Sequence, residues 1–273
     1  MGPRMVGRCR LCLNDRELLE SHFVPKALYR LVRAGTKGAH PVLVSADERR
    51  QTSRQAVQKL LCAECEKRFD QNGENWVLRH CYRGRGVFRL RELLNQAAPV
   101  HAGEEETIYS AYSVRGLEID PLIYFCASVV WRASVVDWWA SERKYEHVEL
   151  GDRYQDTIRR YLLGETSFPE TTAVAVVVSG LVTPVLTFNF PVHLRVEFCR
   201  YYRFHVPGLT FLMAVGRQVT DYFGEICIVR SEVHPVFVSK MGDERVQSEI
   251  LRMMGKVAPS WGEYPLVEGT ENP

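Results

Sequence analysis

Apolar positions fall into two regimes along the chain. From residue 120 to about 139 they run nearly all round a helical wheel, through Val129, Val130 and Val136 to Trp139. Asp120 and Pro121 suit the N-cap and first position of that helix, and a helix apolar on every side is expected to be central and buried. A second helix is predicted over 152–163, stopping before Gly164. The pattern then changes to short runs rich in β-branched and aromatic residues. Residues 172–178, 185–188, 193–198 and 209–213 are predicted strands, with two shorter ones at 226–229 and 235–239. A further helix is expected over 243–256, and residues 263–273 are expected to be a disordered tail.

The N-terminal third is less periodic. Pro25 opens a predicted helix over 26–32, and residues 33–56 are polar apart from a candidate strand at 41–44. Leu60 and Leu61 lead into Cys62. After Cys65, the residues Phe69, Trp76 and Val77 keep helical spacing, with Gly73 weakening its continuity. Glu66, Asp70 and Glu74 then stand at i, i+4 and i+8, so three carboxylates line one helix face. The polar stretch 97–107, with its Pro and Gly, marks a boundary. The expected organisation is a basic module over 1–96 and a larger domain over 108–262, helices followed by a mostly antiparallel sheet.

Composition places the chain among globular proteins: 273 residues, 46% apolar and 25% charged, which excludes disorder, collagen and coiled coil as the dominant state. The net charge of +2 hides an asymmetry, since residues 1–95 carry +9 and the remainder −7. A basic module joined to an acidic one points to polyanion binding at one end. The N-terminus has charge but no apolar run after it, so no secretory signal is expected. Arg132 and Asp137 interrupt the longest apolar stretch, each costing roughly 2.5–3.5 kcal/mol at mid-bilayer. A soluble, cytoplasmic protein without membrane association is the expectation.

Eight cysteines are present, and Cys126, Cys199 and Cys227 stand singly among apolar neighbours as buried thiols would. Cys9-Arg-Leu-Cys12 and Cys62-Ala-Glu-Cys65 are different. Two Cys-x-x-Cys knuckles, here with 49 residues between them, complete a tetrahedral zinc site of four thiolates. Such a site has no open coordination position and is structural. The other reading is a redox dithiol, which normally follows a strand in a thioredoxin-like context that neither pair has.

Knuckle, His22-Phe-Val-Pro25, then Leu61-Cys62-Ala-Glu-Cys65 opening a helix resembles the HNH endonucleases, a ββα-metal core on a treble-clef zinc scaffold. The resemblance covers about residues 9–80. It implies an N-terminal treble-clef module, with His22 as the general base that activates water. It also implies that Glu66, with Asp70 or Glu74 as additions, holds a divalent ion such as Mg²⁺ that stabilises the transition state. Ser21 stands where the family usually has Asp, residues 55–61 lack its usual Asn, and Glu66 replaces a common His or Asn. The bland alternatives are a His22 that hydrogen-bonds the knuckle, a Glu66 that caps or pairs with Arg10 or Lys67, and a solvated face for Asp70 and Glu74. His80-Cys81 looks like another metal pair but lacks partners and reads as structural.

Basic residues accompany these elements. Arg8 and Arg10 flank the first knuckle, Lys26, Arg30 and Arg33 share a helix, and Arg79, Arg83, Arg85, Arg89 and Arg91 follow the carboxylate helix. Arginine suits bidentate bonding to phosphate oxygens. The favoured reading is therefore a metal-dependent HNH-like endonuclease acting on nucleic acid, with DNA preferred. The alternatives are a non-catalytic zinc module that binds nucleic acid, and a protein-interaction scaffold. The C-terminal domain has no phosphate loop, dinucleotide motif, nucleophile elbow or repeat; a second copy of the chain or another protein are its candidate partners.

Overall fold

The computed structural model describes residues 5–34, 42–44, 49–51, 55–140, 143–144, 148–196, 199–219 and 223–239. The helix expected over 243–256 and the tail lie outside them. The chain begins with β1 (Val6–Arg8) and β2 (Asp15–His22), an antiparallel hairpin whose turn is the first knuckle. Pro25 then opens α1 (Lys26–Ala34), and β3 (Val42–Val44) pairs with β4 (Arg49–Gln51). β5 (Val57–Cys62) lies antiparallel on the other side of β2, giving the order β1-β2-β5. Its last residue, Cys62, is the N-cap of α2 (Ala63–Phe69). One π turn (Asp70–Glu74) carries the helix on into α3 (Asn75–His80).

The second part comprises α4 (Arg89–Leu94), β6 (His101–Ala102), β7 (Glu106–Ser110), α5 (Ile119–Val135), β8 (Trp139–Ala140), β9 (Arg143–Lys144) and α6 (Asp152–Leu162). It ends with β10 (Thr172–Ser179), β11 (Val192–Val196), β12 (Cys199–Val206), β13 (Leu209–Gly216) and β14 (Pro235–Ser239). Seven of these strands form one sheet in the order β11-β12-β13-β10-β14-β7-β6, antiparallel except for β10 beside β14. The fold class is α+β, as expected.

α5 is the buried helix that the apolar pattern predicts, with every residue from Leu122 to Ser134 shielded from solvent. It stops at Val135, short of Trp139, because other groups take its last carbonyls. The Trp138 indole donates to Arg132 O at 2.7 Å, and Gln155 Nε2 donates to Ser134 O at 2.8 Å. The helix packs on the N-terminal part on one side and on the sheet on the other. Phe69 meets Tyr124 and Trp131 edge-on, at 5.9 and 6.2 Å, while Phe125 touches Phe204 and Phe211. Gly73 makes the first contact possible, since a Cβ there would stand 2.9 Å from Phe125 N. One apolar core thus runs through both parts of the chain, and the 97–107 segment contributes β6 and the start of β7 to the large sheet.

Two expected strands are not strands. Residues 226–229 form turns, closed by Cys227 N–H to Gly224 O and Ser231 N–H to Cys227 O. Residues 185–188 belong to an irregular strap outside every sheet, in which Thr187 N–H donates back to Val185 O at 3.0 Å. Its aromatic residues serve side-chain packing: Phe188 meets Tyr29 edge-on at 4.8 Å, and beyond it Phe190 stacks on Phe23 at 4.0 Å. Conversely, β12 is a strand the apolar pattern does not predict, because Arg200, Arg203 and His205 interrupt it. Its inward residues Tyr202, Phe204 and Val206 are buried.

His205 carries a pH consequence. Burial lowers it to about 4, and its Nε2 has no hydrogen-bond partner among the described residues. A folded-state value below the ordinary 6.5 favours the native state when the ring is neutral. The contribution is therefore complete above pH 6.5 and is lost as pH falls through 4, amounting to about 3 kcal/mol. In chemical denaturation, the parent is expected to lose about that much more stability than His205→Phe on acidification across this window. Parallel pH profiles would contradict the assignment.

Candidate functional site

The first knuckle closes on its own backbone. Cys9 N–H donates to Asn14 O and Leu13 N–H to Cys9 O, both at 2.9 Å, with Leu13 in the left-handed region at φ 60°. Two further bonds seat it. Arg10 N–H donates to Leu60 O on β5 at 3.1 Å, and Arg159 Nη1 reaches Leu11 O from α6 at 3.1 Å. The second knuckle is the β5–α2 junction, with Cys62 as the helix N-cap and Cys65 in its first turn. The four sulfurs of Cys9, Cys12, Cys62 and Cys65 lie within 4.8 Å of one another, and Cys62 N–H donates to Cys9 Sγ at 3.4 Å.

Their proton affinities show the demand this arrangement makes. The Cys65 thiol and neighbouring backbone N–H groups lower Cys9 to about 4. Cys65 is pushed up, first by its hydrogen bond to Cys9, and Cys12 is pushed up by burial. One negative charge is comfortable here and four are not. A divalent cation supplies the compensation, so the donor set fits zinc. All four positions are protein sulfur, which suits a structural ion.

Ser21 of β2 meets Glu66 of α2, whereas the next residue, His22, lies against Tyr29 of α1. His22 ends β2, opposite Val57 of β5. Burial lowers its pKa, with Lys26 adding to the effect and a hydrogen bond with Gln55 opposing it. The ring is therefore held in its neutral form more firmly than a free imidazole. Glu66 sits one residue beyond Cys65 on α2, half-buried, and its Oε1 is shielded from solvent without a hydrogen-bond partner among the described residues. Burial raises its pKa, and the Ser21 hydroxyl, which accepts Leu61 N–H at 3.1 Å, supports its ionised form. Glu66 makes no ion pair with Arg10 or Lys67.

Asp70 is exposed, whereas Glu74 is 5% exposed and its Oε1 accepts Arg132 Nη2 at 2.6 Å. The solvated face expected for these two therefore holds for Asp70 alone. A run that gains one residue in a π turn rotates Glu74 into the core. Burial pushes Glu74 up to about 7 against the pull of Arg132.

Arg132 is the residue that sequence reasoning missed. Its guanidinium is 1% exposed, lies over the Phe69 ring at 5.1 Å, and donates through Nη1 to His22 O at 3.0 Å. It thereby joins the carboxylate helix to the strand that carries His22. An arginine within an otherwise apolar helix was the available signal, since such a charge is rarely buried without a partner. Among the described residues the four cysteines are the one group of three or more ligand side chains close enough for an ion. His22, Glu66, Asp70 and Glu74 are not close enough together to make a second, and Glu74 is paired with Arg132.

The basic residues divide. Arg10, Lys26, Arg30, Arg83, Arg85 and Arg89 are exposed and make no ion pair with a described residue. Arg91 instead turns inward and donates to the carbonyls of Ser179 and Leu181. His80 stacks on Trp76 at 3.8 Å with Nδ1 on Trp76 O, and Cys81 is buried, which is structural use of both. No described helix is long and apolar enough to cross a membrane. No family model matches the chain, and neither the curated proteins nor the solved structures provide a match to it.

Proposed function

We propose that the chain is an HNH-like hydrolase of nucleic-acid phosphodiester bonds, built on a zinc-held treble clef. The observation that carries this reading is His22, a half-buried imidazole with a lowered pKa. It sits at the end of β2, where Arg132 grips its carbonyl, and β2–β5–α2 gives the ββα order of that family. In the proposed step His22 takes the proton of a water whose oxygen bonds to phosphorus, while the P–O bond to the leaving oxygen breaks. Zinc supplies the folding of the scaffold. Glu66, with one buried oxygen unpartnered, is the helix carboxylate left to meet a cation.

A second reading has its own observation. Glu74 is committed to Arg132 and no carboxylate–histidine ligand group is assembled, which favours a zinc-built module that binds nucleic acid without cutting it. Cleavage of supercoiled plasmid and of single-stranded DNA and RNA with Mg²⁺, Mn²⁺ or Ni²⁺ separates the two. Under the first reading, His22→Ala and Glu66→Ala proteins of equal zinc content lose metal-dependent cleavage by a factor of at least about 100. Cleavage indifferent to His22→Ala, or none by the parent, leaves the binding module.

A further inference from the structure

Between α3 and α4 the chain makes a closed hairpin. Tyr82 bridges to Phe88, Arg83 N–H donates to Val87 O at 2.9 Å, and Val87 N–H donates to Gly84 O at 3.0 Å. Three successive residues at its tip have positive φ: Gly84 at 83°, Arg85 at 52° and Gly86 at 77°. The base is fixed. Tyr82 and Phe88 are both 4% exposed, and Tyr82 N–H donates to Pro207 O at 2.9 Å. Gly208, in the β12–β13 turn, lies so close that a Cβ there would stand 2.7 Å from Phe88 Cζ.

Beyond that base Arg83, Arg85, Gly86 and Val87 are solvent-exposed, as is Arg89 just after it. Arg85 occupies a left-handed position between two glycines, where a third glycine or an asparagine is the easier choice for folding. It makes no ion pair with a described residue, so packing gives no account of it. A charged side chain held in an unfavourable backbone conformation on a firmly seated turn points to a ligand.

The strap supplies the direction. A Cβ on Gly84 would be 3.6 Å from Leu186 Cδ1, and two residues further on Phe188 meets Tyr29. Tyr29 in turn lies 5.9 Å from His22, and Lys26 is near enough to act on the His22 ring. The arginine tip, the strap, α1 and His22 therefore adjoin in sequence.

We propose that the 82–88 hairpin is a rigid phosphate grip that holds a nucleic-acid strand along the 186–190 strap and past His22. This rests on the nucleic-acid reading above and adds which element carries the affinity. A guanidinium on a fixed stem loses little freedom on engaging a phosphate oxygen, and each contact made releases a counterion.

The test uses the zinc-loaded full chain and fluorescence anisotropy with short labelled duplex and single-stranded DNA between about 50 and 200 mM salt. Arg85→Asn removes the charge but tolerates the left-handed backbone, so its thermal midpoint is expected to stay at the parent value. On duplex its log–log salt slope is expected to be shallower by about 0.9. The combination Arg83→Ala, Arg85→Asn, Arg89→Ala is expected to weaken binding at least about tenfold at 0.1 M salt, with a slope shallower by about 2.7. A parent that binds DNA while the triple variant matches its affinity and slope overturns the grip and leaves the nucleic-acid reading standing. A parent that binds neither DNA overturns both.

Discussion

Cys65→Ser is expected to release the zinc and unfold the N-terminal part of the chain. Metal-binding energy in modules of this kind is folding energy, roughly 10–16 kcal/mol in small zinc fingers, as large as the whole stability of a typical domain. Here the cluster is the junction of three elements: the β1–β2 knuckle, the end of β5 and the first turn of α2. Without the cation, Cys9 and Cys65 are left as a single thiolate–thiol pair, a far weaker tie between α2 and the hairpin. Phe69 at the end of α2 packs against Tyr124 and Trp131, so the loss reaches α5 as well. Metal analysis is expected to give one zinc per parent chain and none in the variant. Hydrogen exchange over residues 5–34 and 55–96 is expected to become unprotected. Cys227→Ala, away from the cluster, is expected to keep its zinc. A Cys65→Ser protein with one bound zinc and native protection in those segments would falsify the four-ligand assignment.

The second large effect concerns Arg132. Removing one member of a buried ion pair typically costs about 3–5 kcal/mol, because the other charge is stranded in the interior. Glu74→Leu leaves the guanidinium with carbonyl and hydroxyl partners only, those of His22 and Ser128. Its thermal midpoint is expected to fall by roughly 6–15 °C. The double variant Glu74→Leu, Arg132→Met removes both charges and is expected to recover most of that loss. Double-mutant analysis by thermal and chemical denaturation checks it, and additive losses would show that the pair does not act as a unit. Because Arg132 also holds the His22 carbonyl, the double variant separates two roles. It is expected to refold the core yet leave His22 less firmly placed, visible as altered exchange of the β2 amides.

The cysteine cluster was legible because each knuckle is local: two cysteines three apart can share one ion in any chain that makes the turn. The buried helix was legible too, since an all-apolar wheel has nowhere else to go. Strands were read less well. In residues 185–188 the β-branched and aromatic content answers to an aromatic neighbour on α1, not to a ladder, and composition alone does not distinguish the two. In β12 the outward charges hide a strand whose inner residues are fully buried. Glu74 was misplaced because helical spacing assumes 3.6 residues per turn, and one π turn moves everything after it.

By itself, then, the sequence determined the cysteine cluster, the central helix, the α+β class and the surplus of positive charge at the N-terminal end. Only the tertiary structure decided which charges are buried and what holds them. Arg132 meets Glu74 from 58 residues away and His22 from 110, and Arg159 reaches the knuckle at Leu11 from 148. The free energy of such a contact depends on how completely packing excludes water from both partners. That exclusion belongs to the assembled core and to no local stretch of chain.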